Sequence, residues 1–186
     1  NISASAAATV DVKKTNPYAP VIQLSNSNWT NSSVFVSIVG GAGGRIEYKI
    51  GQSGTWTTYN SPFTISAEGQ TEIFARSFDK DGKESTSSSA VVKIDRTAPT
   101  APSFWLSEWG WTRNNVTFVV SNGTDLLSGV QKSQYRIGTN GNWIDYSAPV
   151  TISTVGETVV YFRTVDYAGN ASPLAQTYIR IYRDSS

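Results

Sequence analysis

The chain has 186 residues, 39% of them hydrophobic, with 15 basic and 14 acidic side chains and neither cysteine nor histidine. Those two absences exclude a disulfide framework, thiolate and imidazole metal sites, and any catalytic constellation built on Cys or His. The net charge of +1 gives no electrostatic footprint for nucleic acid or an anionic membrane, and no apolar run is long enough to span a bilayer.

From the N terminus, "SASAAATVDVKKTNPYAP" aligns without gaps to the later "STSSSAVVKIDRTAPTAP", so that Val10 and Val12 correspond to Val92 and Ile94. Residues 1–15 are therefore expected to be the last strand of a preceding repeat or an extra edge strand. Next, Val34, Val36 and Ile38 alternate with Phe35 and Ser37, the period of a strand with one buried face. Tyr48 and Ile50 share a face opposite Glu47 and Lys49; Phe63 and Ile65 follow. In "EIFARSF" either Ile73, Ala75 and Ser77 or Phe74, Arg76 and Phe78 face inward. The first set is favoured, which leaves Phe74 and Phe78 outside beside Arg76. Val92 and Ile94 close the series, and "GQSG" and "DKDGK" supply turn residues between strands.

The same order then returns. Tyr48, Trp56, Pro62 and Asp79 reappear as Tyr135, Trp143, Pro149 and Asp166, 87 positions on in every case, while Trp29 returns as Trp111, 82 positions on. The second copy thus carries about five additional residues, supplied by "TDLLSG". Such self-similarity is the mark of one small domain duplicated in tandem. No segment shows helical periodicity. Some seven short strands with frequent turn signals in each copy predict an all-β chain of two tandem Ig-like or fibronectin-III-like β-sandwiches, over residues 16–97 and 98–186. Between them, "DRTAPTAP" holds two prolines that restrict their neighbours, so a semi-rigid connection is expected.

At these residues the chain resembles the bacterial Ig-like repeats of secreted and surface-anchored proteins. The shared pattern is a D-x-T-A-P linker (Asp95 to Pro99), a W-T-N strand start (Trp29 to Asn31), a Y-x-I-x-x-x-G-x-W-x-x-Y-x-x-P middle (Tyr48 to Pro62, Tyr135 to Pro149) and a D-x-A-G-N hairpin (Asp166 to Asn170). The first copy departs from it with "DKDGK" at that hairpin. The resemblance implies a non-catalytic spacer in a large extracellular or cell-surface protein, with neighbouring domains of the same polypeptide as partners. Low charge and many Ser, Thr, Asn and Gly residues fit that location, as does a start without a charged and apolar leader, which reads as an exported part of something longer. A carbohydrate- or host-surface-binding module, and a cell-envelope subunit associating through the strand edge near residues 3–13, are the alternative expectations. No enzyme is expected, because no pair of carboxylates can be placed in a cleft.

Two sets of candidate site residues follow. Asp79, Asp81 and Glu84 in "DKDGKES" have the alternating carboxylates of a calcium loop but lack its full length, so a hairpin whose Asp caps its own turn is the simpler reading. Asp125 with Asp166 forms a second oxygen-rich candidate for calcium; no other cofactor is expected. Trp29, Trp111, Trp56 and Trp143 recur and are expected to pack against their sandwiches. Trp105 and Trp109 do not recur, standing where the first copy has Gln23 and Ser27. Phe104 and Leu106 match the inward Ile22 and Leu24, so Trp105 is expected to point outward. An outward indole that the duplicated scaffold does not require suits an interface with the first copy or a neighbouring domain, stacking on sugar rings with Glu108 and Arg113 meeting hydroxyls, or incidental exposure.

Overall fold

A computed structural model describes residues 16–183. The expectations for residues 1–15 and for the strand edge near residues 3–13 lie outside the described residues. Alternation of apolar and polar side chains is realised as fifteen strands, with no helix among the described residues. The first repeat contributes β1 (Pro20–Leu24), β2 (Val34–Gly40), β3 (Ile46–Ile50), β4 (Thr57–Thr58), β5 (Phe63–Ile65), β6 (Gly69–Ser77) and β7 (Ser88–Ile94). They form a three-stranded sheet in the order β1-β2-β5 and a four-stranded sheet β4-β3-β6-β7.

The second repeat contributes β8 (Ser103–Leu106), β9 (Trp111–Thr112), β10 (Val116–Ser121), β11 (Val130–Ile137), β12 (Ile144–Asp145), β13 (Val150–Ile152), β14 (Gly156–Asp166) and β15 (Ala175–Ile181). Its sheets are β13-β10-β8 and β12-β11-β14-β15-β9. Pairing is antiparallel except where β9 runs parallel to β15. The fold is thus all-β, with two tandem sandwiches of Ig-like or fibronectin-III-like type.

Spatially, residues 16–23, Val36–Phe63 and Glu72–Ala90 form one compact unit, and Leu24–Phe35, Thr64–Thr71 and residues 91–183 form another. The whole second repeat therefore shares a unit with the linker and with the end of β7.

The inward faces follow the predicted period. Val34, Val36 and Ile38 are buried, and so are their counterparts Val116, Phe118 and Val120. On β6 the inward set is Ile73, Ala75 and Ser77, matched on β14 by Val160, Phe162 and Thr164. Phe162 centres the core of the second repeat, stacked on Phe104 at 4.7 Å between ring centroids and met edge-on by Phe118 at 5.3 Å. Two expectations are corrected. Phe78 is buried although it belongs to the outer set, because the Arg45 guanidinium lies 3.7 Å over its ring. Trp111 is 59% exposed despite recurring, since β9 is only two residues long at the sheet edge.

The duplicated "G-x-x-G" turns have a backbone cause. Gly51 and Gly138 adopt φ of 75° and 76°, a region that L side chains avoid. A Cβ on Gly54 or Gly141 would stand 2.1 or 2.2 Å from the carbonyl oxygen of Ile50 or Ile137.

Candidate functional site

The hairpin after β14 explains the first part of the site. Asp166 ends the strand fully buried, and its Oδ1 accepts a hydrogen bond from the Asn170 amide at 2.8 Å, closing the turn. Asp79 does the same in the first repeat, accepting from the amides of Asp81 at 2.9 Å and Lys83 at 2.8 Å. Where the first copy has Lys83, the second has Asn170. Its side-chain amide donates to Asp166 Oδ2 and to the backbone oxygen of Asp95, at 2.8 and 2.9 Å.

Asp95 opens the linker and is also fully buried. Its Oδ1 accepts from the Thr97 amide and its Oδ2 from the Ser128 amide, both at 2.9 Å. Ser128 belongs to the five-residue insertion of the second copy, where Asp125 organises the turn: its Oδ2 accepts from the amides of Leu127 at 3.1 Å and Gly129 at 2.6 Å. Gly129 in turn accepts from the Tyr167 amide at 3.0 Å, which ties the insertion to the hairpin. One carboxylate oxygen each from Asp95, Asp125 and Asp166 lie within 4.8 Å of one another. Sequence reasoning paired Asp125 with Asp166 but missed Asp95; its signal was the position at the head of the D-x-T-A-P linker.

Past Asp95 the linker is held along its length. Thr100 donates its amide to the Thr124 carbonyl at 2.8 Å, and the Thr124 amide returns a bond to Thr100 Oγ1 at 2.7 Å. Pro99 and Pro102 are buried. Gly123 is required at this crossing, because a Cβ there would stand 2.0 Å from the Thr100 carbonyl oxygen. Beside it a cavity of about 410 Å³ is lined by Thr97, Ala98, Thr100, Asp125 and the exposed Leu126 and Leu127.

The recurring Trp56 and Trp143 occupy the outer sheet faces under cations. Trp56 lies beneath Arg76 at 4.1 Å and Lys49 at 5.4 Å; Trp143 lies beneath Arg163 at 4.2 Å and Arg136 at 4.9 Å. Every member of the second stack is 87 positions after its counterpart, so the stack is part of the duplicated scaffold. Arg76 is fixed by Glu47, at 2.7 Å, and by Glu84, at 2.9 Å. Burial pushes the Glu47 carboxyl up, but hydrogen bonds from Arg45 and Arg76 outweigh it and hold the group below its ordinary range. In the second repeat Gln134 replaces Glu47, accepting from Arg163 at 2.8 Å and donating to Asp145 at 2.7 Å. Burial, and then the charge of Arg136, lower the Arg163 guanidinium.

The other sequence candidates are placed as follows. Glu84 serves Arg76 and Asp79 its own turn, and among the described residues the only trio of closely spaced acidic ligand atoms is the one around Asp95. Trp105 and Trp109 are 57% and 62% exposed, and Trp109 tilts over Phe104 at 6.3 Å. Glu108 accepts from Asn114 at 3.1 Å, while the Arg113 guanidinium lies 5.4 Å over Tyr182. Chemically, the aspartate trio suits a cation. Asp95 and Asp166 present no surface to a substrate, so they cannot flank a glycosidic bond.

The chain matches no protein-family model and no curated protein. Among solved structures it is similar to fibronectin(III)-like modules of CbhA from Clostridium thermocellum, at 14% identity over 87% of this chain and 94% of that one, with a TM-score of 0.46. It is also similar to the D00-D0 domain of intimin, at 13% identity over 84% and 98% of the two chains and a TM-score of 0.34. A third similarity, to a beta-glucuronidase of Parabacteroides merdae, covers 89% of this chain but 24% of that one, at 14% identity and a TM-score of 0.28. The class assigned above rests on the sheets themselves. No described helix is long and apolar enough to cross a membrane.

Proposed function

We propose that this chain is a non-catalytic spacer or presentation module of an extracellular, multidomain bacterial protein, acting on the neighbouring domains of its own polypeptide. The observation that supports this most is the linker. A flexible tether between independent domains has no need of two buried prolines, a reciprocal Thr100 and Thr124 hydrogen-bond pair and a glycine held against a carbonyl. Arg96 is held as well, donating to the Ser66 carbonyl at 2.6 Å and to Ser33 Oγ at 3.1 Å. Trypsin under native conditions should leave the Arg96 bond intact while cutting a variant whose residues 96–101 are replaced by Gly and Ser. Rapid cleavage of the wild-type chain at Arg96 would remove the support for a built spacer.

The exposed indoles favour a second reading, a carbohydrate- or host-surface-binding module. Trp105, Trp109 and Trp111 all lie exposed within seven residues of the second repeat. Flat apolar rings beside polar groups such as Glu108 and Asn114 suit the faces and hydroxyls of a polysaccharide. Titrating soluble polysaccharides against tryptophan fluorescence separates the two: the spacer predicts no saturable change, and a saturable one replaces it with the binding module.

A further inference from the structure

We infer that Asp95, Asp125 and Asp166 bind one hard divalent cation, calcium in preference to magnesium, with the Ser128 hydroxyl as a further oxygen ligand. Three observations converge. Asp95 and Asp166 are fully buried, yet none of the ion pairs among the described residues includes either of them or Asp125. Charged carboxylates withdrawn from water are strongly disfavoured unless a cation compensates them. Ser128, only 9% exposed, carries a buried Oγ with no hydrogen-bond partner. Its own amide donates to Asp95 Oδ2 and the amides on either side of it donate to Asp125 Oδ2, which seats the Ser128 backbone between two members of the trio.

The ligand chemistry selects the ion. All the donors are oxygens, which suits calcium or magnesium and not the softer metals. Calcium takes oxygens at about 2.3–2.6 Å, so donors on opposite sides of it stand up to about 5 Å apart, against about 4 Å for magnesium. The trio's oxygens, all within 4.8 Å of one another, fit inside the calcium span, and a cage of protein oxygens suits calcium because magnesium sheds its water reluctantly. The hydrogen bonds already present leave lone pairs free. Asp95 and Asp166 each accept one bond per oxygen, and both amides on Asp125 fall on Oδ2. Water completes the shell on the half-exposed side at Asp125.

This site does not depend on the spacer reading. Asp125 is supplied by the insertion, and in the gapless alignment of the two linkers Lys13 stands where Asp95 does, so the sequence of the first repeat offers no equivalent trio.

The test is calorimetric titration of the full chain, freed of metal with EDTA, using calcium chloride and magnesium chloride separately, together with melting curves. One calcium per chain is expected, with a higher melting temperature in calcium than in EDTA and a smaller rise in magnesium. Asp125→Asn keeps an oxygen for the turn but removes a charge, and should weaken calcium binding roughly tenfold or more, because ligand charge sets affinity. Its melting temperature in EDTA should equal or exceed that of the wild type, as one of three like charges is gone. Ser128→Ala should weaken binding less, and Asp79→Asn should leave it unchanged. No heat of binding with identical melting curves at millimolar calcium, or binding that Asp125→Asn leaves intact, overturns the proposal.

Discussion

The guanidinium carbon of Arg163 stands 4.2 Å above the Trp143 ring, and the corresponding Arg76 stands 4.1 Å above Trp56. A sheet face that would otherwise expose an indole to water is thereby covered by a guanidinium. Partly desolvated cation–π contacts contribute about 1–2 kcal/mol, and the arginine stem adds packing. Arg163→Ala should therefore lower the stability of the second repeat by about 1–2 kcal/mol in urea denaturation. Arg163→Lys should recover only part of it, because an ammonium has no plane to stack. Equal stability of Ala and Lys variants would show that the ring contact contributes nothing.

The acid limb of stability should belong in part to the first repeat. Glu47 is held below its ordinary value of 4.5 in the folded chain by Arg45 and Arg76 against the opposing effect of burial. A carboxyl whose folded pKa is depressed contributes stability that is full above the unfolded value and is lost as pH falls through the folded one. Melting temperature should accordingly decline below about pH 4.5, where the unfolded chain begins to bind the proton first. Glu47→Gln should lower stability at pH 7 and flatten that decline. Melting curves from pH 7 to pH 3 for both proteins decide it.

Phe162 has no exposed surface and touches rings on two sides. Truncation to Ala leaves a cavity that β10 and β14 cannot close. The cost should be about 3–5 kcal/mol. That is enough to unfold a repeat of this size, which loss of near-ultraviolet circular dichroism would report.

Gly123→Ala places a methyl group 2.0 Å from the Thr100 carbonyl oxygen, a backbone atom that cannot rotate away. The Thr100 and Thr124 bonds should break, and trypsin should then reach Arg96. A variant as resistant as the wild type would mean that the linker holds without this crossing.

Trp105→Ala and Trp109→Ala should change stability by no more than about 0.5 kcal/mol each, as expected of exposed side chains outside any packed network. A loss well above 1 kcal/mol for Trp109 would mean that its contact with Phe104 supports the core.

The amino-acid sequence alone determined the strand faces and the duplication. Period-two alternation at Val34, Val36 and Ile38, and the 87-residue return of Tyr48, Trp56 and Asp79, are local or internal patterns, and burying one sheet face leaves them a single register. It also placed Trp105 outward, because Leu106 beside it had to point in. What it could not supply was the company each side chain keeps across the chain. Asp95 and Asp166 are 71 positions apart, and only the fold shows that the linker head and the last hairpin share one buried spot with the insertion at Asp125. Nor could alternation show that Phe78 lies under Arg45, or that Trp111 is exposed. Those depend on which long side chains fold back over a face and on where an edge strand ends, and tertiary packing decides both.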